Sequence, residues 1–322
     1  MTARRTGKAT PIIVERDGVS LSIQPDARLD LYSTFRVGGP ADFLTRVGDA
    51  QEIALALDWA VEQDLPVTIF GGGSNMLVAD KGVRGLVLVV RKPGRDAASE
   101  LQVLDEDAET VVVSVPAAAP LTWLGREASQ RGWVGLTWAV GLPGNIGGAT
   151  VNNAGAHGTE FKDALVSLRL ADGRGEIVEH AREWLSPEYR MTRLKARGNP
   201  KREVVVDVTL RLSRGSEDEL RREADEHADY RHRTQPTGKC AGSIFKNPPG
   251  DFSGRIIEEL GLKGTRVGGA EVSPKHANFI VNEEGATASE IVELIELVQE
   301  RVMAATGIGL QTEIERVGEW SW

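Results

Sequence analysis

The sequence is poor in the residues that cross-link or anchor a protein. Its 322 residues include one cysteine, Cys240, which excludes an internal disulfide framework and suits a reducing compartment. No apolar stretch approaches the length of roughly 20 residues that spans a membrane. The basic start of the chain lacks the apolar run of a signal peptide. We therefore expect a cytoplasmic protein with no membrane partner.

Charge and histidine placement restrict the partners further. The net charge is −9, and no basic block is long enough to follow a phosphate backbone, so we expect no nucleic-acid partner. The five histidines are scattered without the spacing of metal ligands, which predicts no metal site. The apolar content of 41% and charged content of 26% are those of an ordinary globular protein. The remaining partner class is a small molecule, and we expect a monomer.

The two commonest nucleotide signatures, G-x-G-x-x-G and G-x-x-x-x-G-K-[ST], are absent. The chain instead has a glycine turn between two apolar, strand-like runs, Pro66–Phe70 and Met76–Ala79. Glycines let backbone N–H groups approach phosphate oxygens without a Cβ in the way. We predict a ligand-binding turn that uses no helix N-terminus, formed by Gly71, Gly72, Gly73, Ser74 and Asn75.

A second glycine-rich segment occupies residues 141–158. A plain surface loop that needs positive φ angles is the alternative to a ligand-binding role. Long glycine loops are often functional, and two of them in adjacent units would both be explained by one elongated ligand between the units. We predict a long connection here, with ligand contacts from Gly144, Asn145, Gly147, Gly148 and Gly155.

Strand and helix patterns alternate along the chain, which predicts an α/β or α+β fold. Asp172–Gly175 is typical of a hairpin turn, and Thr287 to Gly307 has the capping signals of a long helix. A charged helix over Glu217–Tyr230 is expected to open the last region. We predict a loose arm over residues 1–32, two units over 33–92 and 93–213 with a boundary near Lys92-Pro93-Gly94, and a C-terminal domain over 214–322.

Several specific motifs occur in order from about Ser33 to Gly318. They are TFRVGGPA from Thr34, FGGGSN from Phe70, GLPGNIGGATVNNAGAHG from Gly141, EYR from Glu188, AGSIFKNP from Ala241, GLKG from Gly261, SPKHANF from Ser273 and LQTE from Leu310. Together they resemble the UDP-N-acetylenolpyruvoylglucosamine reductase family. The resemblance implies an α+β fold: a two-subdomain FAD-binding module of the vanillyl-alcohol-oxidase (PCMH) type, plus a C-terminal α/β substrate-binding domain.

The resemblance also implies a reaction. In that family FAD is reduced by NADPH, and hydride then passes to the enolpyruvyl ether of UDP-N-acetylglucosamine enolpyruvate, giving UDP-N-acetylmuramate for peptidoglycan synthesis. Hydride adds to C3, so negative charge develops on C2 and the carboxylate. A cation must meet that charge and an acid must protonate C2.

Three residues match the family's catalytic positions. Arg190 would neutralise the developing enolate, Ser243 would donate the proton, and Glu313 would organise or protonate the intermediate from the opposite side. Without the resemblance, we would expect a surface arginine, a turn serine and a solvated glutamate. Spacing from Leu310 favours Glu313 over Glu315.

Four further positions match the family's substrate side: Tyr189, Lys246, Asn247 and His276. A packed histidine is an equally good interpretation of His276. After Tyr-Arg the family often has x-Ser-x-Phe-Lys, whereas this chain has Met191-Thr192-Arg193-Leu194-Lys195. Because Thr192 keeps a hydroxyl and Leu194 the bulk, we interpret the difference as drift and assign no role in this turn beyond Arg190.

Two other functions are compatible with the glycine loops. One is an FAD-dependent alcohol or lactone oxidase on the same module, which has no reason to keep Arg190, Ser243 and Glu313. The other is a non-catalytic flavin or nucleotide-sugar binding protein, which the presence of all three residues argues against.

Overall fold

The computed structural model describes residues 10–91, 100–196 and 203–320. The predicted boundary at Lys92-Pro93-Gly94 lies outside the described residues. No helix in the described part of the chain is long and apolar enough to cross a membrane.

The first subdomain is a five-stranded mixed sheet with one helix. Its elements are β1 (Ile12–Arg16), β2 (Val19–Arg28), β3 (Pro40–Val47), α1 (Ala50–Glu62), β4 (Val67–Phe70), β5 (Met76–Val78) and β6 (Val83–Val90). The strand order is β1-β2-β3-β6-β4, with β6 parallel to both β3 and β4. Strand β5 lies outside this sheet, and the glycine turn after β4 leads directly into it, as predicted.

The prediction of a loose arm before residue 33 was wrong for residues 12–28. This segment forms the antiparallel hairpin β1–β2, and β2 continues the sheet through β3. Asp17 and Gly18 both have positive φ, 50° and 80°, as a two-residue hairpin turn of the primed type requires. Leu21 and Ile23 alternate inward and are 2% and 0% exposed. These buried side chains hold the arm in the fold.

The second subdomain is built on a six-stranded antiparallel sheet. Its elements are β7 (Gln102–Glu106), β8 (Thr110–Pro116), α2 (Leu121–Gln130), β9 (Trp133–Val134), α3 (Ile146–Asn152), β10 (Gly155–Ala156), β11 (Thr159–Glu160), β12 (Leu165–Ala171), β13 (Ile177–Ala181), α4 (Arg182–Leu185), α5 (Arg193–Ala196) and β14 (Val204–Arg214). The order is β13-β12-β14-β8-β7, and β9 also pairs with β14. The hairpin predicted around residues 172–175 joins β12 to β13.

Helix α1 joins the two subdomains through a common apolar core. Ile53 and Leu57 of this helix are almost completely buried, in the same cluster as Leu168 of β12 and Val208 of β14. Burial of that cluster, at roughly 25 cal/mol per Å² of apolar surface, fixes the two sheets relative to each other. The relative position of the two subdomains is therefore a fixed feature of the fold.

The C-terminal region contains a small antiparallel sheet and a long helix. Its elements are α6 (Glu217–Thr234), α7 (Ser253–Glu259), β15 (Arg266–Val267), β16 (Ala270–Val272), β17 (Ile280–Asn282), α8 (Ala288–Thr306) and β18 (Glu315–Val317). As predicted, Thr287 caps α8 in a reciprocal box with Glu290, and Gly307 ends it at φ 73°. The last strand leaves this region, because β18 pairs in parallel with β5.

Helix α6 was predicted to open the C-terminal domain, but it packs on the second subdomain. Arg231 of α6 is buried and donates hydrogen bonds to the carbonyl oxygens of Trp138 and Val140. Burial lowers the pKa of this guanidinium to about 10. On its exposed side, α6 is also tied to α2 by Arg126 and Asp225, 3.3 Å apart. By packing, then, the C-terminal domain begins after α6.

Gly82 shows how tightly the strands around the cleft are packed. It lies between β5 and β6 with φ 83°, and a Cβ there would overlap the carbonyl oxygen of Pro40. Gly18 has a similar φ of 80° but has no atom within 4 Å of such a Cβ. A side chain at Gly18 would therefore cause backbone strain alone, whereas one at Gly82 would cause both backbone strain and steric overlap.

Gly18→Ala should lower the free energy of unfolding by about 1 kcal/mol, the usual cost of a left-handed alanine. Gly82→Ala should lower it by more than about 3 kcal/mol, because the backbone around Pro40 must also move. Urea unfolding of both variants, followed by circular dichroism, checks this difference. Equal losses would show that the overlap is relieved without cost.

Candidate active site

A cleft of about 400 Å³ lies between the two subdomains, in the size range of small-molecule sites. It is lined by residues of both glycine-rich segments, by the apolar strands β4 and β14, and by the last strand β18. The predicted ligand residues in its lining are Gly71, Asn145, Gly147 and Gly148. Two segments that are 70 residues apart in sequence thus meet at one cavity.

The two glycine loops meet in direct contact. A Cβ on Gly72 would lie 2.7 Å from the Cα of Gly144, and the Ser74 hydroxyl donates to the carbonyl oxygen of Pro143 at 3.3 Å. Glycine is therefore needed at position 72 for loop packing as well as for any ligand. Within the described residues, the N–H groups of Gly72, Gly73 and Ser74 donate to no other protein group, so they remain free to bind an anionic ligand.

The predicted long connection over 141–158 was wrong in part, because residues 146–152 form α3. The Asn145 side chain accepts from the N–H of Gly148 at 2.9 Å, which caps the helix, and donates to the carbonyl oxygen of Val90 at 2.8 Å. Gly147 lets the helix approach the second sheet, since a Cβ there would lie 3.1 Å from that of Ala117. Asn145 thus fixes the loop to the end of β6.

Arg190 lies near the cleft, because it contacts Glu313 and the carbonyl oxygen of Asn153, which follows the cleft residue Asn152, and it is held on several sides. Its Nε lies 3.0 Å from Oε1 of Glu313, and its Nη1 donates to the carbonyl oxygen of Asn153 at 3.1 Å. Its Nη2 donates to the carbonyl oxygen of Gly155, and Glu160 lies 3.6 Å away. The side chain is 15% exposed. The alternative of a surface arginine is therefore wrong, and Gly155 supports Arg190 rather than lining the cleft.

Glu313 is the carboxylate partner of Arg190. Burial raises the pKa of its carboxyl group, while the positive charges of Arg190, Lys195 and Lys246 act in the opposite direction. Its side chain is 20% exposed, so the alternative of a solvated glutamate is also wrong. A carboxyl group with a raised pKa keeps its proton to a higher pH than a free glutamate does.

Ser243 and Lys246 lie on a segment that runs beside the one carrying Glu313. The N–H of Glu313 donates to the carbonyl oxygen of Ile244 at 2.8 Å, and the N–H of Lys246 donates to that of Gln311 at 2.9 Å. Ser243 is partly buried, and its hydroxyl makes no hydrogen bond to another described residue. This pairing brings Ser243, Lys246 and Glu313 into one neighbourhood.

Among the remaining predicted substrate residues, Tyr189 and Asn247 contact each other. Tyr189 is exposed beside Arg190, and its hydroxyl accepts from the N–H of Asn247 at 3.4 Å. His276 packs against Phe279 within the C-terminal region, and burial lowers the pKa of its imidazole. Among the described residues, His276 makes no hydrogen bond or ion pair with Arg190 or Glu313, and the packed interpretation fits its surroundings.

Sequence reasoning missed Lys195 and Asn152. Lys195 lines the cleft, and its ammonium group donates to the Asn152 side-chain oxygen at 2.7 Å and to the carbonyl oxygen of Glu313 at 3.2 Å. Burial lowers the pKa of this lysine. The available signal was the lysine that ends the Tyr-Arg-x-Ser-x-Phe-Lys run. Leu194, which stands where the family often has phenylalanine, is buried. The hydroxyl of Thr192, which stands where the family often has serine, donates to the carbonyl oxygen of Val151.

The donor set of the cleft suits an organic anion with a flat, apolar ring system. Val67, Ile69 and Val90 supply apolar walls, Lys195 and Arg316 supply cations to the lining, and the free N–H groups follow the lining residue Gly71 in sequence. Among residues 10–91, 100–196 and 203–320, no group of three or more His, Cys, Asp or Glu is placed to hold a metal ion. These features fit FAD.

Comparison with known proteins agrees with this geometry. A family model of an FAD binding domain matches residues 41–181, and one of the C-terminal domain of UDP-N-acetylenolpyruvoylglucosamine reductase matches residues 234–317. The enzyme of that name from Synechocystis sp. is 39% identical over 99% of this chain and 98% of its own length. The one from Rubrobacter xylanophilus is 40% identical over 94% of this chain and 99% of its own.

A solved structure gives the same assignment. The crystal structure of UDP-N-acetylenolpyruvylglucosamine reductase from Thermus caldophilus has a TM-score of 0.74 and 34% identity, over 92% of this chain and 98% of the other. The predicted fold class, an FAD-binding module followed by a C-terminal domain, is confirmed. The chain therefore belongs to the UDP-N-acetylenolpyruvoylglucosamine reductase family of FAD-dependent oxidoreductases.

Proposed function

We propose that this protein reduces UDP-N-acetylglucosamine enolpyruvate to UDP-N-acetylmuramate with NADPH as the reductant. The observation that carries the proposal is the partly buried Arg190–Glu313 pair, which lies beside the segment of Ser243 and next to the cleft residue Lys195. The family relatives carry the name of this reaction. When bound, FAD supplies the hydride chemistry between the nicotinamide and the sugar substrate.

The two glycine loops would hold the cofactor. The free N–H groups of Gly72, Gly73 and Ser74 would bind the pyrophosphate, because backbone donors favour anionic oxygens at short range. Asn145, Gly147 and Gly148 would line the other side of the cleft. This arrangement needs no long helix pointing at the phosphates.

Arg190 would meet the negative charge that develops on C2 and the carboxylate of the enolpyruvyl group. Its guanidinium is held by Glu313 and by two backbone carbonyl oxygens, so it is already oriented before the substrate enters. A preoriented cation in a water-poor site stabilises such charge at little reorganisation cost.

Proton delivery to C2 would come from Ser243. Its hydroxyl is free of protein partners in the described structure and lies on the segment paired with Glu313. A serine hydroxyl is a weak acid, so nearby cations must lower its proton affinity, and Lys246 is the nearest in sequence. Glu313, with its raised pKa, would organise or protonate the intermediate from the other side. Lys246, Tyr189 and Asn247 would contact the substrate.

The reaction is tested first under anaerobic conditions. We expect purified yellow protein to bleach with NADPH and to recover its absorbance when UDP-N-acetylglucosamine enolpyruvate is added. Recovery with oxygen but not with the sugar would instead support an oxidase. Colourless protein that takes up no FAD would contradict the role of the glycine loops.

Ser243→Ala should leave flavin reduction by NADPH intact, because the hydroxyl acts only in the sugar half-reaction. Reoxidation by the enolpyruvyl sugar should slow by about 10²- to 10⁴-fold, the usual range for a lost proton donor. Stopped-flow measurement of both half-reactions separates them. Equal slowing of the two would contradict the assignment.

Arg190→Lys keeps the charge but loses the planar group that reaches Glu313 and Gly155 together. We expect reoxidation by the sugar to slow by about 10²-fold or more, in the range found when one charge-stabilising donor is lost. FAD content measured from the visible spectrum serves as the control. Reoxidation at the wild-type rate would show that charge alone is sufficient.

A further inference from the structure

A junction of hydrogen bonds joins all three parts of the chain next to the cleft. The side-chain nitrogen of Asn75, from the first subdomain, donates to Asn152 at 3.0 Å and to the carbonyl oxygen of Glu313 at 3.2 Å. Lys195, from the second subdomain, donates to the same two oxygens at 2.7 and 3.2 Å. The junction therefore converges on the main chain of the residue whose side chain binds Arg190.

We propose that Lys195 is a positioning residue for the reduction, which fixes Glu313 against the cofactor module and supplies part of the positive charge around its carboxylate. This inference rests on the proposed function. Lys195 acts through Glu313, since its two hydrogen bonds go to protein oxygens. The assignment gives a functional role to a second residue of the turn that begins with Arg190.

The charge of Lys195 is the feature that a purely structural role does not explain. Asn75 already donates to both oxygens, so the junction could be closed without an ammonium group. Burying an ammonium is costly, and the burial is large enough to lower the pKa of Lys195. The nearby acids, Glu313 and Glu315, favour its charged form. A buried cation kept at this position must act on its neighbours electrostatically.

The groups around Glu313 define the expected pH effect. Arg190 contacts its carboxylate, and Lys195 and Lys246 add positive charge from two other segments. Glu160 lies on the far side of Arg190, and Glu315 acts on Lys195. Without the charge at position 195, the carboxylate loses a stabilising cation and the pKa of Glu313 rises further.

The test compares Lys195→Met and Lys195→Arg with Arg193→Met as a matched control. Arg193 is a cation on the same short helix, but it lies over the Trp184 ring, 5.0 Å from its centroid. We expect Lys195→Met to slow reoxidation of the reduced holoenzyme by the sugar about tenfold or more. The part of the pH–rate profile that reports the titration of Glu313 should move to higher pH. The direction is the same whether the reaction uses the protonated or the ionised carboxyl group. A shift of one pH unit corresponds to about a tenfold change in proton affinity.

Lys195→Arg should restore most of the rate and return that part of the pH–rate profile toward its wild-type position, because it keeps the charge. Arg193→Met should change neither. If Lys195→Met is slower but its pH–rate profile is unchanged, the role of Lys195 is structural and the proposal is overturned. An unchanged rate in Lys195→Met would also overturn it.

A readout without substrate keeps this inference separate from the reaction. An acid with a raised folded-state pKa stabilises the protein at low pH, and that stabilisation is lost as pH rises through the folded pKa. The wild-type protein should therefore have a higher unfolding midpoint than Glu313→Gln at low pH, and this difference should fall as the pH rises. In the Lys195→Met background that fall should be larger. If wild-type enzyme fails to reduce the sugar but shows this coupling, the proposed function fails and the electrostatic link remains; the absence of coupling overturns the inference alone.

Discussion

The parallel pairing of the last strand with β5 is the interaction on which the active site depends. Residues Glu315–Val317 leave the C-terminal domain and pair with Met76–Val78, directly after the first glycine loop. This pairing completes the wall of the FAD cleft and places Glu313 next to the cleft residue Lys195. Three short segments from distant parts of the chain, around residues 75, 190 and 313, therefore meet at one point.

Electrostatics explain why that meeting point is stable. Three cations, Arg190, Lys195 and Lys246, surround the carboxyl group of Glu313 in a partly buried space. The three positive charges repel one another, so each needs a fixed partner. Arg190 has Glu313 and two backbone carbonyl oxygens, and Lys195 has Asn152 and a third carbonyl oxygen. Neutral oxygens thus satisfy much of the positive charge, and the carboxyl group stays available for chemistry.

Local signals in the sequence predicted most of the secondary structure. The long C-terminal helix and the hairpin at residues 172–175 have explicit capping and turn residues, and the structure confirmed both. The first hairpin was missed although Asp17-Gly18 is a strong turn signal and the following strand alternates. The packing of α6 was not predictable from its own sequence, because its mostly polar surface does not reveal which subdomain it covers.

The site was predictable only where the family motifs named its residues. Arg190 and Glu313 would each have been assigned to the surface on local grounds, because each is held by segments that are distant in sequence: they bind each other across 123 residues, and Arg190 also binds Asn153 and Gly155. Lys195 was overlooked for the same reason: its partners, Asn152 and Glu313, lie on two other segments. The glycine loops were expected to approach a ligand, and the structure shows that Gly72 also serves contact with the second loop.

The strand pairing between β18 and β5 also sets an order of events during biosynthesis. Both glycine loops and the two sheets of the cofactor module are complete by residue 214, yet one wall of the cleft comes from residues 315–318. A nascent chain on the ribosome has an open cleft until those residues emerge. The cleft can therefore close around a cofactor only after residues 315–318 have been synthesised, and a chain that lacks them leaves that side of the cleft open.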